Sequence, residues 1–77
     1  MIKKTIKLET INDVKRFVNA VSKYDFEVDL VSGRYAVDAK SIMGIFSLDL
    51  SKEIEMDIHG EGESVDKYLA EISDYLR

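Results

Sequence analysis

Three positions in this 77-residue sequence carry groups that could do chemistry: the single histidine, His59, and two hydroxyls, Thr10 and Ser41, each placed where a helix begins. His59 stands among Asp57, Gly60 and Glu61, a grouping that could shuttle a proton or hold a metal. One imidazole with scattered carboxylates is a thin ligand set, and the expectation is a solvated strand end. No Ser-His-Asp arrangement can be assembled, and Gly60 and Gly62 read as a turn rather than a phosphate cradle. Without cysteine there is neither a thiolate metal site nor a disulfide. The sequence points to no enzyme, no cofactor and no metal. Ser41, after Lys40, is first of all an N-cap. A phosphate there would also be stabilised by the helix dipole and by free N–H groups.

These groups need elements to hold them. Residues 2–8 place Ile2, Ile6 and Leu8 on one face of a strand, with Lys3, Thr5 and Lys7 on the other. Lys4 falls on the apolar parity and is expected near a strand end. Thr10 then caps a helix over 11–23, with Asp13 in its first turn and Ile11, Val14, Phe17, Val18 and Val21 as its apolar stripe. Tyr24-Asp25 leads into a strand carrying Phe26, Val28 and Leu30. Ser32-Gly33 makes a hairpin turn, and Tyr35 and Val37 alternate in the next strand. Residues 53–59 alternate Ile54, Met56 and Ile58 with acids, and Gly60 and Gly62 end that strand. Ser64 is expected to cap a last helix with the stripe Val65, Leu69, Ile72 and Leu76. Strands and helices with one apolar side each satisfy one another as two layers. If the last strand lies beside the first, its acids would pair with Lys3 and Lys7.

Residues 41–50 are too apolar for a surface helix. At 100° per residue, Ile45 and Leu48 point one way while Ile42, Met43, Phe46 and Leu50 point another, an arc of roughly 220°. One sheet cannot cover it, so some of Ile42, Met43 and Phe46 should stay exposed as a partner site. An irregular, twisted segment that buries everything is the alternative.

Composition narrows the partners. Fifteen acidic against eleven basic residues give a net charge of −4, the wrong balance for nucleic acid. No apolar run approaches a membrane span, and nothing resembles a signal peptide, so a cytoplasmic protein is expected. The 45% hydrophobic and 34% charged residues suit one small globular domain over 1–77.

Two stretches carry a family resemblance: Val21-Ser22-Lys23-Tyr24-Asp25, and Lys40-Ser41-Ile42-Met43-Gly44-Ile45-Phe46-Ser47-Leu48. They resemble HPr, the histidine-containing phosphocarrier family of the bacterial sugar phosphotransferase system, whose regulatory site has this Lys-Ser-Ile-Met-Gly block. The resemblance implies an α+β open-faced sandwich: a four-stranded antiparallel sheet in the order 1-4-2-3, covered on one face by three helices. It implies that Ser41 is the serine phosphorylated by an ATP-dependent HPr kinase/phosphorylase. Ile42, Met43 and Phe46 match the family's docking patch for enzyme I and for transcription-factor partners.

The carrier half departs from the pattern. The family motif is a histidine followed after one residue by arginine and proline, and ungapped counting puts Thr10, Asn12 and Asp13 there. The preceding loop is also shorter. A phosphorylated Thr10 would be a stable ester, Asn12 brings no cation, and Asp13 repels phosphate. What is implied is a Crh-like member, a non-catalytic regulator or adaptor. It would be a monomer, with a dimer through the patch as the other state. Two further readings stay open. One is a residual phosphocarrier using His59 or Thr10. The other is a drifted binding module that keeps the block for packing, which a buried Ser41 hydroxyl would favour.

Overall fold

The computed structural model describes residues 1–77. The elements follow in the order β1 (Ile2–Ile6), α1 (Ile11–Val21), β2 (Glu27–Ser32), β3 (Tyr35–Asp38), α2 (Ile42–Phe46), β4 (Ile54–His59) and α3 (Glu63–Glu71), closed by a 3-10 turn at Ser73–Tyr75. Helix α1 forms because Thr10 and Asp13 cap each other's backbone. The Thr10 hydroxyl accepts from the Asp13 N–H at 3.0 Å, and the Asp13 carboxylate accepts from the Thr10 N–H at 3.1 Å. The β2–β3 hairpin turns at Gly33, whose φ of +60° suits glycine.

The sheet runs β1-β4-β2-β3 and is antiparallel throughout. Every buried residue is apolar or tyrosine. Ile6, Val28, Leu30, Ile54, Met56 and Ile58 meet Val14, Phe17, Val21, Ile45, Val65, Tyr68 and Ile72 in one core. The helices lie on one face, with α1 packed against both α2 and α3. This is the α+β open-faced sandwich expected from the resemblance.

Several local expectations need correction. Strand β1 stops at Ile6, not residue 8, because the chain end folds along its outer edge. The Lys7 N–H donates to the Tyr75 carbonyl and the Arg77 N–H to the Thr5 carbonyl, both at 2.8 Å. Leu76 bridges Ile6 there and is not part of a helical stripe. Helix α1 ends at Val21, since the N–H groups of Lys23 and Tyr24 already bond in tight turns to Ala20 and Val21. Ile11 stays exposed, one turn too early to reach the sheet. Helix α3 begins after Gly62 at φ +91°, so Ser64 is not its cap. Lys3 reaches Glu55 at 3.7 Å, but Lys7 donates to the Leu50 carbonyl instead of pairing with an acid.

Gly60 ends β4 where the chain crosses Phe26. A Cβ placed on it would come to 2.9 Å from the Phe26 Cβ. Gly60→Ala is therefore expected to destabilise by about 1–3 kcal/mol, read from the urea midpoint at an unchanged slope.

Candidate functional site

Ser41 and α2 form one unit. The Ser41 hydroxyl accepts from the Gly44 N–H at 3.1 Å and caps the five-residue helix. Gly44 is small for a reason: a Cβ there would sit 3.2 Å from the Val37 Cβ and 3.3 Å from the Ser41 Oγ. The backbone N–H of Lys40 donates to Asp38, and its ammonium donates to the Tyr24 carbonyl at 2.7 Å. These contacts fix the turn that presents Ser41. Ser41 itself is only half-buried. Its neighbouring cation is spent on a main-chain carbonyl rather than a carboxylate.

The apolar segment splits as its wide arc demands. Ile45 is fully buried and Leu48 nearly so, while Met43 is 78% and Phe46 42% exposed. Ile42 and Leu50 are half-buried and pack against the core. Regular helix ends at Phe46, and Ser47 onward is turn, so the irregular alternative is also partly realised. Of the three expected patch residues, Met43 and Phe46 point outward and Ile42 gives most of its surface to the core.

At the start of α1, the Asp13 carboxylate accepts from the N–H groups of Glu9 and Thr10. These bonds, that to Glu9 foremost, hold its carboxyl below the usual carboxylate range. A fixed anion thus occupies donors that a phosphoryl group at Thr10 would need. Asn12 is exposed and uncharged. His59 lies at the far end of β4, its Nε2 3.0 Å from the Asp29 carboxylate on β2, and both side chains are more than two-fifths exposed. It joins neither Thr10 nor Ser41. The largest cleft, about 670 Å³, lies between the β2–β3 turn and the segment after α2. Charges of both signs line it, from Arg34 and Lys52 to Asp49 and Glu53, and it contains neither Ser41 nor Met43.

A family model described as the phosphotransferase-system HPr component phosphorylation site matches residues 12–77. The chain belongs to the HPr family. Solved structures agree. HPr-C-His from Thermoanaerobacter tengcongensis is 26% identical with a TM-score of 0.76, covering 96% of this chain and 89% of that one. Crh of Bacillus subtilis, described as a swapped dimer, is 27% identical with a TM-score of 0.65, over 96% and 87%. The phosphocarrier HPr of Bacillus anthracis shares the fold at 21% identity and a TM-score of 0.71, over 99% and 96%. HPr-family proteins are phosphocarriers or regulators that work through protein partners, and they are not catalysts. The family match begins at Asn12, two residues after Thr10. No helix is long and apolar enough to cross a membrane.

Sequence reasoning missed Ile11, assigned to the core stripe and found 64% exposed beside Thr10. The signal was its place in the first helical turn, where the helix has not yet closed on the sheet.

Proposed function

We propose that this HPr-family chain is a non-catalytic regulator or adaptor of the cytoplasm. It docks protein partners through the exposed face of α2, carried by Met43 and Phe46 with Ile42 behind them, and is switched by phosphorylation at Ser41. The observation that carries this reading is the pair of large apolar side chains left in water one turn from a capping serine. Regular packing would have buried them; exposure of neighbouring large apolar groups marks a contact surface. A phosphate on Ser41 would keep the capping geometry, because it still accepts from the first-turn N–H groups, and would set close to two negative charges beside the patch. Partner choice changes while the fold stays. The candidate partners are an HPr kinase/phosphorylase, a transcriptional regulator or another phosphotransferase-system protein.

Carrier function has little to stand on. Thr10 offers a hydroxyl, Asn12 no charge, and Asp13 a carboxylate already on the local N–H groups. The chain end covers the Thr5–Lys7 end of the outer edge of β1, bonded through Tyr75 and Arg77, which takes that stretch out of strand pairing with a second copy and supports a monomer.

Intact-mass analysis after incubation with ATP and an HPr kinase/phosphorylase tests the switch. One phosphate on the parent and none on Ser41→Ala is expected. No phosphate on the parent, with the kinase active on a genuine HPr, would overturn the switch.

A further inference from the structure

We infer that β3 lends its free edge to a second copy of this chain, so that two sheets join through β3 as an antiparallel, two-fold pair. This goes beyond the docking reading of α2 and does not depend on it. The sheet ends on one side at β3, whose one partner is β2. Among the main-chain bonds made outside the helices and strands, none involves residues 34–37. The strand carries neither proline nor lysine, residues that commonly blunt an exposed edge. At the opposite edge, Tyr75 and Arg77 already cover the Thr5–Lys7 end of β1.

The register selects how two such edges meet. Ser32 faces Tyr35 across a two-residue turn, Gly33-Arg34, with φ +60° at Gly33. In such a hairpin the residues flanking the turn form a hydrogen-bonded pair, and the pattern alternates beyond them. Tyr35 and Val37 therefore turn their main-chain groups to β2, while Ala36 and the Asp38 N–H turn theirs outward. A two-fold axis through Ala36 lets the two Ala36 residues exchange both main-chain bonds. The same register gives the Asp38 N–H of each copy the Arg34 carbonyl of the other.

The side chains fit this register as well. Counted outward from Ala36, Arg34 of one copy lies opposite Asp38 of the other, and Tyr35 opposite Val37. Neither Arg34 nor Asp38 makes an ion pair within the chain. Asp38 ends a row across the open face of the sheet, Lys3, Asp57, Asp29 and Asp38, with a cation at the β1 end alone. Arg34 of the second copy supplies the cation at the β3 end. On the other face Tyr35, 71% exposed, comes over the half-buried Val37. Moving the axis by two residues sets Asp38 against Asp38 or Arg34 against Arg34, so the charges favour one register. The strand is thus self-complementary, as a two-fold contact requires. So short an edge, between chains that each carry −4, makes a weak pair populated at about 0.1–1 mM. The monomer supported above is the dilute form.

Sedimentation equilibrium and amide NMR spectra of the intact chain, from about 0.02 to about 2 mM, test this with Ala36→Pro and Arg34→Asp alongside. The parent's average mass should climb from 8.8 kDa towards twice that value, and the amide signals of Arg34, Ala36 and Asp38 should move with concentration. Ala36→Pro removes the outward N–H without touching a bond to β2 and should stay monomeric. Arg34→Asp sets acid against acid and should weaken the pairing about tenfold or more. Both should melt as the dilute parent does; if Ala36→Pro melts lower, Arg34→Asp, in an exposed turn, decides alone. A parent that keeps the monomer mass throughout overturns the inference. So does a dimer that Arg34→Asp leaves at full strength, or one whose shifting amides lie in α1 or α2.

Discussion

Tyr68→Ala should lose about 3–5 kcal/mol, a large part of the roughly 4–12 kcal/mol that a chain of this length commands. Tyr68 is fully buried in α3 and sits among three other rings, with centroids 6.4 Å from Phe17, 5.6 Å from Tyr24 and 5.6 Å from Phe26. All three contacts are edge-on, the arrangement aromatic quadrupoles favour. Its hydroxyl donates to the Met56 sulfur on β4 at 3.2 Å, a weak bond that still gives the buried O–H a partner. Burial holds the hydroxyl in its protonated form far into the alkaline range. The ring thus ties α1, α3, β4 and the loop of Tyr24 and Phe26 together, and truncation leaves a cavity that these segments cannot all collapse into. Tyr68→Phe keeps the ring and gives up only the O–H to sulfur contact, so a cost of about 1 kcal/mol or less is expected. Urea unfolding of both variants separates the two terms. A Tyr68→Ala protein as stable as the parent would refute this account of the core.

Phe46→Asp and Met43→Asp should each abolish partner binding and leave the fold intact. Phe46 is 42% and Met43 78% exposed, so neither substitution drives a charge into the core. In a complex both groups would be desolvated at the centre of the contact, where a few anchors carry most of the energy. A carboxylate there must shed its water with no cation opposite, a cost of several kcal/mol and a loss of a thousandfold or more in affinity. Far-UV circular dichroism and the melting transition should be unchanged in both. Ile45→Asp is the contrasting substitution: Ile45 is fully buried on the same helix and its replacement should unfold the protein. Undiminished affinity in the Phe46 or Met43 variant would remove the patch assignment.

The layers of this fold were legible because strands and helices each showed one apolar side. Ile54, Met56 and Ile58 alternate cleanly and are all buried, and the acids between them, Glu55 and Asp57, are half-buried on the opposite face of the sheet. The 220° arc of residues 41–50 foretold that something on α2 would stay wet. Sequence periodicity could not say how the segment divides, since Ile42 and Met43 differ by one residue and the outcome depends on where the helix stops. The end of the chain was misread for a similar reason. Val65, Leu69, Ile72 and Leu76 fit a helical stripe, but the helix ends at Glu71 and Leu76 lies along β1 instead. Tyr68 went unread because a tyrosine off that stripe looks like surface, and only the ring cluster shows why it turns inward. Ile11 failed in the opposite sense, apolar by type and periodic by spacing, yet in a first turn that overhangs the sheet.

For the candidate site, the residues were legible and their contacts were not. Ser41 was placed as a cap and is one. The close approach of Gly44 to both Val37 and Ser41, and the capture of Lys40 by a carbonyl of the α1 loop, depend on the hairpin register. No local pattern encodes that.

We propose a family fold kept while histidine-based phosphoryl transfer is lost. Its most direct test is intact-mass analysis after incubation with phosphoenolpyruvate and enzyme I, before and after mild acid, with a genuine HPr alongside. The account predicts no phosphate on this chain while the control gains one that acid removes. An acid-labile phosphate on this chain, mapping to His59, would contradict it and make the protein a carrier after all.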